Sequence, residues 1–308
     1  LTLIRSLEQA KNAGALVMVH AENGDAAYWL QKKHIAEGKT ETKYHATSRP
    51  PRVEAEATGR AIAMAELVGA PIYIVHLSCE EALEEVVRGR LRGVDVLAET
   101  CTQYLYAAEE DLDRPDFEGA KFVFTPPPRP AHNHEVLWRA LENDTLQAIS
   151  SDHAPWSFAE QKSRGRNDFT QIPNGGPGIE ERVIMTYQGV NEGRLSLNRF
   201  VDIVATSPAR IFGLYPRKGT IGIGGDADLL VWDPNAEMTI TQSELHHAVD
   251  YTNYEGMQVR GLPRTVILRG QIIAQEREFV GEPGAGQFLH RGKSGSHTSE
   301  APAGMAAD

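Results

Sequence analysis

Cysteine is nearly missing from this chain: Cys79 and Cys101 are the only two in 308 residues. That excludes a disulfide framework, so the fold must rest on a packed core, and a reducing, cytoplasmic setting is expected. Positive charge is also short, with 31 Lys and Arg against 42 Asp and Glu and a formal net charge of −11. Nucleic acid and anionic membrane surfaces are therefore poor candidates for the main partner. No apolar run approaches the ~20 residues of a membrane-spanning helix, and no signal-peptide pattern opens the chain. An initiator Met is absent as well. Leu3, Leu7 and Ala10 stand at helical spacing from the start, as though the chain began inside a fold.

What is present is a globular composition, 41% hydrophobic and 24% charged. Strand and helix patterns alternate. A helix over 1–12 leads through Gly14 to a continuously apolar strand at 15–20, the pattern of a strand covered on both faces. A helix over 23–38 and a loop at 45–51 come next. Pro50 and Pro51 then open a helix at about 53–68, which Gly69 closes. After it come a strand at 71–77, a helix at 80–90 and a strand at 94–99. Residues 100–145 are less regular and contain Phe122-Val123-Phe124-Thr125-Pro126-Pro127-Pro128-Arg129. The triple proline forces extended backbone, either a stiff connector or a substrate-facing loop. A helix at 133–142 precedes a strand at 146–151.

Beyond that strand, a long polar loop runs from 156 to 178, a length that marks either function or disorder. Helices are expected at 179–192, 197–205 and 208–212. From Lys218 the pattern changes: residues 219–233 are turn-rich and then strand-like, and further short strands are expected at about 238–240, 259–260, 265–268 and 271–274. A Gly/Ser/Ala-rich tail from about 291 to 308 is expected to be disordered. The alternation over 1–212 argues for a parallel α/β fold, with a small β region over 213–290. Four strands precede residue 212, whereas a β/α barrel has eight in roughly 250 residues. The choice is between a small open sheet and half a barrel.

Three strands end in groups that can do chemistry. Val17-Met18-Val19 leads to His20, Ile72-Tyr73-Ile74-Val75 to His76, and Ile149-Ser150-Ser151 to Asp152. The C-terminal strand ends are where a β/α barrel builds its active site. Imidazole suits Zn²⁺, and a carboxylate can add a ligand or act as a base. A single such histidine could simply be hydrogen-bonded at a strand end; three equivalent positions favour a shared site. His153 comes directly after Asp152 and is expected in a supporting role. His34, His45, His132, His134, His246 and His247 receive none. Asn174-Gly175-Gly176-Pro177-Gly178 precedes a helix and allows close backbone approach to a ligand. Gly222-Ile223-Gly224-Gly225 lacks the strand-to-helix context of a phosphate loop and reads as a turn.

Several motifs together resemble the dihydropyrimidinase/D-hydantoinase group of the cyclic amidohydrolases. They are Val19-His20-Ala21-Glu22-Asn23, Ser48-Arg49-Pro50-Pro51-Arg52-Val53-Glu54, Val75-His76-Leu77-Ser78, Glu99-Thr100-Cys101-Thr102-Gln103-Tyr104-Leu105 and Ser151-Asp152-His153-Ala154-Pro155. The stretch from Gln161-Lys162 through Asp168-Phe169 to Ile172-Pro173-Asn174-Gly175-Gly176 and Gly178-Ile179-Glu180 resembles that group more than allantoinases or dihydroorotases. Gly224-Gly225-Asp226-Ala227-Asp228-Leu229-Leu230-Val231 resembles the entry to the small β-sandwich beside the barrel in these enzymes.

The resemblance implies a TIM-barrel amidohydrolase with two divalent metal ions, expected to be Zn²⁺, a small cyclic amide or imide substrate, and a homo-tetramer. It makes His20 and His76 ligands of one ion. It makes Asp152 a ligand of the other and the proton shuttle. Thr125 and Asn174 would hold the ring through backbone groups. Three family features are absent from the sequence: the His-x-His pair of the first barrel strand, the carboxylated lysine that bridges the metals, and the oxyanion tyrosine. The expectation is therefore the second half of the barrel, units five to eight over 1–212, with part of the β-sandwich over 213–290. Such a chain would be unable to complete the metal centre alone. The alternatives are a non-catalytic dihydropyrimidinase-related assembly protein, an allantoinase-like enzyme, and a mononuclear metal hydrolase on an open sheet.

Overall fold

A computed structural model describes residues 1–294. The disorder expected for the tail falls mostly on residues 295–308, outside the described residues.

Four parallel strands form the first sheet: β1 (Val17–Val19), β2 (Ile72–Ile74), β3 (Val96–Cys101) and β4 (Ala148–Ser150). They lie side by side in chain order, with Val17 opposite Ile72, Ile72 opposite Val96 and Glu99 opposite Ala148. Each crossover passes through helix, so every strand points the same way and all C-terminal ends meet at one edge. The helix Pro51–Val68 starts where the prolines predict, with Pro51 in its first turn, and closes on left-handed Gly69. Its buried Ala57, Ala61, Ile62 and Ala65 pack with Ile72, Val86 of the helix Glu80–Leu91, and Leu137. Tyr73 and Leu97 point to the other face, where Ile211 covers them. Coverage on both sides explains why these strands are continuously apolar.

β1, β2 and β4 are shorter than the strands expected there, whereas β3 keeps six residues, shifted two positions onward. β1 and β2 keep three residues each, and the chain turns sharply past their ends. The long loop after β4 is ordered. Two short 3₁₀ turns, Lys162–Gly165 and Phe169–Gln171, carry buried Lys162 and Phe169, and Ile172 is buried beyond them. The helices expected at 197–205 and 208–212 are continuous, because a wide turn at Asp202–Thr206 links Leu197–Val201 to Ser207–Ile211.

A second sheet is an antiparallel meander of β5 (Leu229–Thr239), β6 (Gln258–Leu268), β7 (Gln271–Gln275) and β8 (Glu278–Phe279). The strand-like run up to Asp233 and the four short strands expected after it merge into three longer strands, and β8 has no counterpart among the expected strands. Irregularities in the β5–β6 register interrupt the alternation that makes a long strand readable. Among the described residues this is one sheet and not two stacked ones, so a sandwich is not formed from them alone. Ile184 and Met185 of the helix Glu181–Asn191 pack with Ile240, Tyr254, Val259 and Leu262, joining the meander to the parallel-sheet region. No described helix is long and apolar enough to cross a membrane.

Candidate active site

His20 comes directly after the last residue of β1. His76 and Asp152 each stand two residues beyond the ends of β2 and β4. Both of the latter carry positive φ, 43° and 45°. A left-handed conformation in a non-glycine residue costs on the order of 1–3 kcal/mol and persists where surrounding structure imposes it, often at functional sites. Here it turns the chain off the strand end.

The sheet brings the two imidazoles together across 56 residues of sequence: His20 Nδ1 lies 2.7 Å from His76 Nε2. On the far side of the His20 ring, Nε2 is 3.1 Å from Glu22 Oε2. A carboxylate can only accept, so His20 carries a proton on Nε2 and turns Nδ1 towards His76. Glu22 is held in turn by Arg49 at 2.7 Å. Burial alone would raise the Glu22 pKa; the hydrogen bond from His20 and the Arg49 charge outweigh it and hold it below the ordinary carboxylate value. His76 is buried, which together with the neighbouring His20 pushes its pKa down to about 4 and keeps it neutral. Its Nδ1 has no hydrogen-bond partner among the described residues.

Asp152 has a side chain that keeps access to solvent. Partial desolvation raises its pKa, opposed by its attraction to the His20 ring. Glu99, inside the sheet, accepts from Tyr73 at 2.8 Å and Ser150 at 2.9 Å, and burial raises its pKa.

Beneath His76 lies a buried charge network. The Ser78 N–H donates to Glu54 Oε1 at 2.9 Å, and the Ser78 hydroxyl donates to Glu54 Oε2. Arg129 pairs with Glu54 at 2.7 Å and donates to Ser78 Oγ at 2.9 Å and to the Arg49 carbonyl. Both charged side chains are only 3% exposed. Arg129 thus connects the stretch after the triple proline to the strand end that carries His76, and to Arg49, which holds Glu22.

Thr125 and Asn174, 49 residues apart, meet through a 2.7 Å hydrogen bond from Thr125 Oγ1 to Asn174 Oδ1. The Gly175 N–H donates to the Val123 carbonyl at 3.0 Å, and Trp156 Nε1 donates to the Asn174 carbonyl at 2.9 Å. Gly175 has φ 135°, and a Cβ there would sit 2.2 Å from the Ala154 carbonyl oxygen, so this close crossing requires glycine. His153 Nδ1 accepts from the N–H groups of Gly178 and Ile179 at 3.2 and 3.3 Å. His45 is buried and bonds the Phe124 carbonyl at 2.9 Å. The sequence assigns it no role, yet it anchors the residue before Thr125. His246 pairs with Glu180 at 3.0 Å.

The fold thus brings His20 to His76 and Thr125 to Asn174, and it sets Asp152 near enough to His20 to feel its charge. Sequence gives no role to Glu22, Glu54, Arg129 and Lys162, although most of them fall within the quoted motifs. Their signal is charge that the fold buries, and no periodicity in the sequence reveals it.

A model of the amidohydrolase family matches residues 2–273. The chain belongs to the amidohydrolase family. Within the family its likeness is to the dihydropyrimidinase/hydantoinase group. It is 62% identical to a D-hydantoinase of Ralstonia pickettii and 61% to one of Rhizobium radiobacter, each over 95% of this chain and 64% of the relative. A solved D-hydantoinase superposes with a TM-score of 0.94 at 61% identity, covering 96% of this chain and 64% of that one. The crystal structure of a dihydropyrimidinase from Brevibacillus agri NCHU1002 superposes at 0.93 with 49% identity, over 95% and 64% of the two chains. The chain thus spans about 64% of the length of the curated relatives it matches.

Membership implies use of divalent metal. Two imidazoles converging on one point, one of them oriented by a carboxylate behind it, fit two positions of a divalent-ion shell. They do not close one. No three His, Cys, Asp or Glu side chains among the described residues are grouped closely enough to hold an ion.

Proposed function

We propose that this chain serves the hydrolysis of the cyclic amide bond in dihydropyrimidines or hydantoins. The observation that carries the reading is the His20–His76 pair, its imidazole edges converging at 2.7 Å with Glu22 behind, at the strand edge that also carries Asp152. A divalent ion held by His20 and His76 would supply Lewis-acid polarisation of the ring carbonyl and acidification of water. Zn²⁺ suits imidazole donors of this kind.

The remaining steps fall to side chains of this chain. Asp152 accepts a proton from the attacking water and delivers it to the departing ring nitrogen, so that one C–O bond forms as the C–N bond breaks. Its raised pKa suits a carboxylate that must both take up and release a proton. Backbone groups at Thr125 and Asn174 hold the ring edge. The hydrogen bond between the two side chains holds the two segments together, which limits the orientations open to the ring. The described residues offer three donors, fewer than a two-ion centre uses. We infer that the complete centre draws further ligands from outside them and that this chain alone binds metal weakly.

The test is conversion of hydantoin or dihydrouracil to the ring-opened carbamoyl acid by the protein at divalent-metal concentrations high enough to load a weak site, compared with Asp152→Asn. Loss of turnover with ring binding retained is expected for the variant. A fully active Asp152→Asn enzyme, or a parent that binds metal but neither ring, would overturn the proposal. Two tightly bound ions per chain would overturn the incomplete-centre reading alone.

A further inference from the structure

Lys162 is fully buried, and its ammonium has no carboxylate partner among the described residues. Nζ donates instead to two backbone carbonyls, Val123 at 2.9 Å and Pro173 at 3.1 Å. Desolvation alone brings its pKa down to about 7. Burying an unpaired cation is costly, and an apolar side chain of the same length would fill the space without that cost. What the ammonium adds is geometric. Val123 lies two residues before Thr125, and Pro173 directly precedes Asn174. One group therefore ties together both segments that flank the ring-holding pair. The Gly175 N–H bonds the same Val123 carbonyl, so the Lys162 contact completes a three-way joint beneath the site.

We propose that Lys162 is a positioning residue that sets the spacing between the Thr125 and Asn174 backbones and thereby which cyclic imide ring, five- or six-membered, the pair accepts. The proposal rests on the reading that these two segments hold the ring. Carbonyls at fixed separation discriminate ring size because a ring that is too wide or too narrow leaves one buried hydrogen-bonding group unmatched.

The variant is Lys162→Met, with Lys162→Gln, which keeps a donor, as the second should the first fail to fold. Two measurements separate the questions. Hydrogen–deuterium exchange of the Gly175 amide in the ligand-free protein reads the joint. Affinity for hydantoin and for dihydrouracil, with KM and kcat in the metal-loaded enzyme, reads ring recognition. Lys162→Met removes both Nζ hydrogen bonds and is expected to exchange the Gly175 amide at least about tenfold faster and to weaken ring binding by about tenfold, each effect on the scale of a buried hydrogen bond. The preference between the two rings should change, and KM should rise more than kcat falls. Lys162→Gln should recover part of each effect.

A variant that melts at lower temperature but keeps KM, ring preference and Gly175 exchange would make Lys162 merely structural and overturn the proposal. If the parent bound neither ring, the functional reading would fall and the ring-size proposal with it. The exchange experiment would still decide whether the joint exists.

Discussion

Replacing Arg129 by Met should be among the most damaging single changes in the molecule. The guanidinium and the Glu54 carboxylate are both 3% exposed and lie 2.7 Å apart. Arg129 also satisfies Ser78 Oγ and the Arg49 carbonyl. Methionine fills most of the volume but strands a buried carboxylate, a change that costs about 3–5 kcal/mol. An unfolding entropy of about 2 cal/mol/K per residue over 308 residues amounts to about 0.6 kcal/mol/K, so Tm should fall by roughly 5–8 °C. Adding Glu54→Gln removes the stranded charge and keeps an acceptor for the Ser78 N–H. The double variant should be more stable than Arg129→Met, with roughly 1–2 kcal/mol still lost. Because the pair is buried, these differences should hardly change between low and high NaCl. Calorimetry or urea titration of the four proteins completes the cycle. A cost below about 1 kcal/mol for Arg129→Met, or a double variant no more stable than the single, would refute the reasoning.

Glu22→Gln should release the His20 tautomer and weaken Co²⁺ or Zn²⁺ binding by about 10–100-fold; ¹⁵N shifts of the imidazole and metal titration check it, and an unaltered affinity would count against the orienting role of Glu22. Lys162 titrates near 7 in the folded chain against an ordinary 10.5, so the unfolded chain binds the extra proton between those values. Parent stability relative to Lys162→Met should therefore rise with pH, by about 2–3 kcal/mol from pH 7 to 9, and be flat below 7. A difference that is constant across that range would be inconsistent with a desolvated amine. Gly175→Ala places a methyl on the Ala154 carbonyl at a φ that side chains avoid; a loss of about 1–3 kcal/mol and weakened ring binding are expected, measured by melting and calorimetric titration.

The strand-end placement of His20, His76 and Asp152 is legible because a buried parallel strand writes itself as a short apolar run, and the first polar residues after the run sit at the sheet edge. Capping is legible for the same local reason: Pro51 and Gly69 bound the helix they are expected to bound. The meander is less so. Register shifts in β5–β6 break its alternation, and β8 is only two residues long.

The alternation of strand and helix, the helix ends and the three chemical groups at strand ends are all written in the linear chain, because each depends on contacts within a few residues. The folded molecule was needed to show that His20 Nδ1 faces His76 Nε2, that Glu22 chooses the tautomer, that Arg129 reaches Glu54 across 75 residues, and that the Lys162 ammonium is buried between two carbonyls. Burial and pairing of a charge depend on what distant parts of the chain bring to it, and a linear pattern carries no record of that.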